Sequence, residues 1–131
     1  MRYMLLIYTR ELPPEQMPDM TEVRAGHFAV VDETKRLGIY EGAEPLRPTS
    51  SATTVRMQEG KPLILDGPFA ETKEQLAGYY ILDCKDLDEA IHWAKKIPTG
   101  CKGAEGCIEI RPLPGIPARI EALRPQEAIG R

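Results

Sequence analysis

The order of predicted elements places this chain in the α+β class, as a split β-α-β arrangement with two helices on one face of an antiparallel sheet. Three observations predict it. A strand-like run, Arg2–Thr9, opens the chain. Two segments with helical spacing, each opened by an acidic residue and closed by Gly or Pro, alternate with short strand-like runs. Between them, Glu59-Gly60-Lys61 separates two further strand-like runs as a hairpin inserted into the repeat.

In order, Arg2–Thr9 alternates Tyr3, Leu5 and Ile7 with Met4, Leu6 and Tyr8, so both faces are apolar and both are expected to be covered. Residues 11–20 hold Pro13, Pro14 and Pro18 and read as a loop. Asp19 with Glu22 three residues later is a capping-box variant predicting a helix over 20–37, stopped by Gly38. Residues 39–44 read as a strand closed by Pro45 and Pro48, and Thr53–Gln58 and 62–65 are the arms of the hairpin, with Arg56 exposed. Residues 78–83 form the next strand. Asp86 and Glu89 repeat the capping pattern, and Leu87, Ala90, Ile91, Ala94 and Ile97 recur at helical spacing until Pro98. Residues 107–111 alternate, with Ile108 and Ile110 on one face and Glu109 and Arg111 on the other. The sum is a ferredoxin-like sheet.

Two helices cover only one side of such a sheet, and Met4, Leu6, Tyr8 and one of Tyr79 or Tyr80 point to the other. An apolar sheet face of that size needs a partner, and the simplest is a second copy packed face to face with two-fold symmetry. Residues 1–113 form this domain. Residues 114–131 are an extension in which 118–123 suits a short helix, either clamping a neighbouring subunit or fraying.

Bulk properties exclude several classes. With 131 residues, 42% hydrophobic and 28% charged, the chain is one ordinary globular domain rather than a disordered segment. A net charge of −3 with scattered basic residues argues against non-specific nucleic-acid binding. No apolar run reaches the ~18–20 residues of a membrane helix, and no signal-peptide pattern opens the chain, so a cytoplasmic protein is expected. Cys84, Cys101 and Cys107 lack metal-ligand spacing and read as reduced thiols, although a Cys101–Cys107 bridge is conceivable. No phosphate-binding, dinucleotide or H-E-x-x-H motif is present, so neither metal nor cofactor is expected.

The most distinctive stretch is Asp66-Gly67-Pro68-Phe69-Ala70-Glu71-Thr72-Lys73-Glu74, where a carboxylate stands at a strand end before a sharp turn. Together with the runs at 1–8 and 108–112, it resembles the signature of the YCII-related, or DGPF-domain, family of small bacterial proteins. The resemblance implies a dimeric α/β barrel. It also implies catalysis through a His–Asp pair between the first helix and the sheet, mapped here onto His27 and Asp66, and a frequent genomic association with alternative sigma factors.

Of two histidines, His92 lies off the apolar stripe of its helix and reads as a solvated residue. His27 shares a helix face with Val23, Val30, Val31 and Thr34, so it points at the sheet. It is either a core histidine bonded to a carbonyl or a tyrosine hydroxyl, or a base held by Asp66. Asp66 in turn is either a turn cap or a site residue. Phe69 reads as a cleft wall or dimer contact, and Arg111 as an ion-pair partner or an anion ligand. One of the adjacent Tyr79 and Tyr80 is expected to line the cleft. No serine or cysteine sits in a nucleophile motif, so proton abstraction fits better than acyl transfer.

The leading expectation is therefore a cofactor-independent enzyme for proton transfer, isomerisation or elimination on a small cyclic or carbonyl-bearing molecule. His27 and Asp66 would be catalytic, with Phe69, Tyr79, Tyr80 and Arg111 contacting substrate. The alternative is a non-catalytic ligand-binding or regulatory module.

Overall fold

β1 (Arg2–Thr9) is the centre of a computed structural model that describes residues 1–100 and 106–114. It pairs antiparallel with β5 (Gln75–Asp83) on one side and β6 (Gly106–Pro112) on the other. β2 (Tyr40–Pro45) adds to the far edge of β5, giving the order β2-β5-β1-β6. With α1 (Thr21–Arg36) and α2 (Leu87–Ala94), this is the ferredoxin-like split β-α-β order that the pattern predicts. β3 (Thr53–Gln58) and β4 (Lys61–Asp66) pair only with each other, in a separate two-stranded sheet.

Alternation in β1 decides where the core lies. Tyr3, Leu5 and Ile7 are buried against the helices, opposite Leu82, Tyr80 and Gly78 of β5. Val30 of α1 and Ala90, Trp93 and Ile97 at α2 close that core. Thr34 is fully buried and its hydroxyl donates to the Val30 carbonyl at 2.7 Å, whereas the buried indole N–H of Trp93 has no partner among the described residues. Gly26 allows α1 to approach the segment that follows α2: a Cβ on it would lie 2.7 Å from Cγ of Pro98. Met4, Leu6, Tyr79 and Ile81 share the opposite face and are only half-buried by their own chain. The expectation that both faces are covered thus holds within one chain for the helical side alone.

The two capping patterns behave differently. Asp86 is the N-cap of α2 and accepts from the Glu89 backbone N–H at 2.9 Å, while the Glu89 carboxylate reaches back to the Lys85 N–H at 2.7 Å. Asp19 does not bond to Glu22. Its carboxylate accepts from the Thr21 N–H at 3.0 Å and the Thr21 hydroxyl at 2.6 Å, because Asp19 lies one residue before the cap position Met20. Gly38 stops α1 at φ +76°, as expected of a C′ residue. Residues 118–123 lie outside the described part of the chain. So does Cys101, while Cys84 and Cys107 are free thiols. No described helix is long and apolar enough to cross a membrane.

Candidate functional site

α1 carries His27 over the sheet, and β5 carries Tyr80 up to meet it. Tyr80 is opposite Leu5 and points to the helical side; Tyr79, next along, is opposite Leu6 and points away. Of the two tyrosines, Tyr80 therefore enters the helix–sheet interface. Nδ1 of His27 lies 2.8 Å from the Tyr80 hydroxyl, with the rings nearly parallel at 18° and centroids 5.9 Å apart. The same hydroxyl lies 3.4 Å from the His27 carbonyl oxygen, so its proton has two acceptors.

That double choice fixes two imidazole states. With the hydroxyl donating to Nδ1, the ring proton resides on Nε2. With the hydroxyl turned to the carbonyl, Nδ1–H donates to the phenol oxygen and Nε2 presents a bare lone pair. Burial holds His27 below its ordinary value of 6.5, so the ring is neutral around pH 7. Burial pushes the Tyr80 phenol up to about 12, with the Tyr40 phenol adding to the shift, so it stays protonated. The pair is thus a neutral base and a neutral orienting hydroxyl.

Asp66 stands elsewhere. It ends β4, paired with Thr53, and its carboxylate is exposed and makes no hydrogen bond or ion pair among the described residues. The polar partner of the His27 ring is Tyr80 and not Asp66. The motif marks a turn, and the turn belongs to the hairpin rather than to the helix–sheet interface, in keeping with the turn-cap alternative for Asp66. Gly67 adopts φ +95°, its N–H donates to the Ala52 carbonyl at 2.7 Å, and the Thr54 hydroxyl donates to its carbonyl at 2.8 Å. The Asp-Gly-Pro turn therefore locks the base of the hairpin.

The same turn lines one side of an open groove of about 430 Å³, with Glu11 and Thr49 across from Gly67, Pro68 and Glu71. Glu11 is already committed: its two carboxylate oxygens accept from the Thr49 N–H at 2.8 Å and the Thr49 hydroxyl at 2.6 Å. Phe69 projects into solvent beyond the turn, 76% exposed. Arg111 sits on the open sheet face opposite Met4, with Nη1 4.0 Å from Glu109 Oε2 of its own chain. Phe69, Tyr79 and Arg111 are thus not gathered round the imidazole. His92 packs edge-on against Trp93 and is exposed. Among the described residues, no cluster of three or more His, Cys, Asp or Glu has metal-binding geometry.

The sequence pattern offers a tyrosine as one possible partner for His27 and requires one of Tyr79 and Tyr80 to face the helices; the pairing of Tyr80 with Leu5 selects Tyr80. The Glu11–Thr49 clamp had no such signal, since it joins two loops without a periodic pattern.

A two-layer α+β protein with a polar pair trapped between helix and sheet is what the fold defines. Its residues 1–114 match the YCII-related domain, and the chain belongs to that family. It is also 47% identical over 68 residues to an uncharacterised protein of Rhizobium meliloti (strain 1021), an overlap covering 52% of this chain and 54% of that protein. The chain therefore spans about half the length of that curated relative.

Proposed function

We propose that this chain is a cofactor-independent enzyme, working as a face-to-face homodimer, that moves a proton on a small cyclic or carbonyl-bearing molecule. The observation that carries the proposal is the 2.8 Å approach of Tyr80 to Nδ1 of a half-buried, neutral His27. Nε2 takes the proton from the carbon beside the carbonyl, and the resulting imidazolium is held by its Nδ1–H bond to the phenol oxygen. It then returns the proton to the neighbouring carbon or the carbonyl oxygen, completing a tautomerisation, or gives it to a hydroxyl leaving as water when the β C–O bond breaks, completing an elimination; neither changes net redox state. Tyr80 takes the orienting role that the family resemblance gives to Asp66. The dimer is supported by the half-covered apolar side chains of Met4, Leu6, Tyr79 and Ile81 on the face away from the helices.

The test is proton exchange in D2O with a panel of small keto acids and enol lactones, followed by loss of proton NMR signal. Wild-type protein is expected to label the carbon adjacent to the carbonyl of at least one probe, with His27→Gln slower by ~10²-fold or more. Equal labelling by His27→Gln removes the base role. A second reading, a non-catalytic ligand-binding module, is favoured by the position of the groove at the Asp-Gly-Pro turn, away from His27. Probe binding that shifts the resonances of Gly67, Glu71 and Thr72 without exchange selects it.

A further inference from the structure

The hairpin β3–β4 carries an apolar face that no described residue of its own chain covers. Glu59 and Gly60 form a two-residue turn with φ of 52° and 78°, so Gln58 and Lys61 are the hydrogen-bonded pair that closes it. The next pairs outward then alternate, making Met57–Pro62 and Val55–Ile64 the non-bonded pairs, whose side chains lie closest together. Alternation puts these four on one face. Val55, Met57 and Ile64 are 63%, 65% and 70% exposed. A two-stranded hairpin is marginal on its own, so such a ladder needs a cover.

Edge addition is the less suitable cover on β4. Pro62 belongs to a non-bonded pair, so the N–H it lacks is one that would point outward, and a strand added there misses a rung. The face, rather than the β4 edge, is left to dock.

Area identifies the occupant. A standard interface covers ~800 Å² per partner, of which about 57% is apolar, or roughly 450 Å². A fully exposed aliphatic side chain carries on the order of 100 Å². Met4, Leu6, Tyr79 and Ile81, each no more than about a third exposed, therefore supply at most roughly 150 Å² to a face-to-face dimer. Val55, Met57 and Ile64, each about two-thirds exposed, supply roughly 200 Å² more, so the hairpin more than doubles what the sheet face offers and brings it to about three-quarters of that requirement.

We propose that β3–β4 is a clasp for a second copy of this chain: its Val55–Met57–Ile64 face closes over the rim of the partner's open sheet face, and the partner's hairpin does the same in return. This rests on the homodimer proposed above and adds a second contact to it. Two-fold symmetry makes the exchange reciprocal, since each copy offers one clasp and one sheet face.

The test is a dilution series by sedimentation equilibrium on full-length wild type, the double variant Val55→Ser/Ile64→Ser, and Leu6→Glu on the sheet face. Wild type is expected to be a dimer, the double variant to dissociate with a Kd at least tenfold higher, and Leu6→Glu to be monomeric. A dimeric wild type whose Kd the double variant leaves unchanged overturns the clasp while the face-to-face dimer stands. A wild type monomeric throughout overturns both. Should the double variant misfold by circular dichroism, amide exchange of residues 53–66 in wild type decides. Slower exchange in the dimer than in diluted monomer supports the clasp, and identical exchange overturns it.

Discussion

The body of the molecule and its hairpin arm are built from similar strands and meet opposite fates. β1 reads Tyr3, Leu5, Ile7 and is buried to 7% exposure or less at each; β3–β4 offers Val55, Met57 and Ile64 in the same alternation and leaves each more than 60% exposed. The difference is not propensity. β1 lies between two hydrogen-bonded neighbours with two helices above it, whereas β3 and β4 have only each other. Alternation says which residues share a face and says nothing of what will cover it. In the body the helical face is covered within the chain, whereas the arm's apolar face has no cover among the described residues.

The sharpest way to break this comparison is to empty one site of each kind. Leu5→Ala, at a fully buried position, is expected to cost about 2–5 kcal/mol in urea unfolding at every protein concentration. Ile64→Ala is expected to fall within about 0.5 kcal/mol in dilute solution, and to gain an effect only as concentration rises. Equal losses at all concentrations would mean the arm is packed on its own body.

A smaller effect separates the two aspartates that precede helices. Asp86→Ala removes a real cap and is expected to cost about 0.5–2 kcal/mol in thermal or urea unfolding. Asp19→Ala removes only an exposed turn contact to Thr21 and should cost less. The opposite ranking would show the first helix to be the one that depends on its start signal.

The pH dependence contrasts with both. Burial pushes the Cys84 thiol from 9.0 to about 11 and Tyr80 from 10.0 to about 12, so the unfolded chain releases these protons first as pH rises. Stability is then full below about 9 and declines through about 12. His27 acts at the other end. Its folded value lies below 6.5, so the unfolded state binds the proton first as pH falls under 6.5, and stability declines until the folded ring also protonates. Urea midpoints between pH 5 and 11 should give a plateau from about 7 to 9, with His27→Gln flattening the acid limb and Cys84→Ala the early alkaline limb.

Much of the body was legible because its signals are local. The apolar run at β1, the Glu59-Gly60 turn, the Gly38 stop and the Asp86 cap each depend on residues within a few positions. Asp19 was misplaced by one residue because Thr21 offers both an N–H and a hydroxyl nearer than Glu22. The site was half legible. Helical spacing aimed His27 at the sheet, and alternation in β5 made Tyr80 the tyrosine available to it. The aspartate was chosen because its motif is conspicuous, but a conspicuous turn reports local backbone demand. Gly67 at φ +95° and its bond to Ala52 explain the motif through the hairpin base.

The most direct test of the proposed site is the titration of His27 by nitrogen-15 NMR, made simple by the presence of only two histidines. In wild type His27 is expected to titrate below 6.5, Tyr80→Phe to move that midpoint, and Asp66→Asn to leave it in place. A midpoint at or above 6.5, unmoved by Tyr80→Phe and lowered by Asp66→Asn, would contradict the account and return the orienting role to the carboxylate.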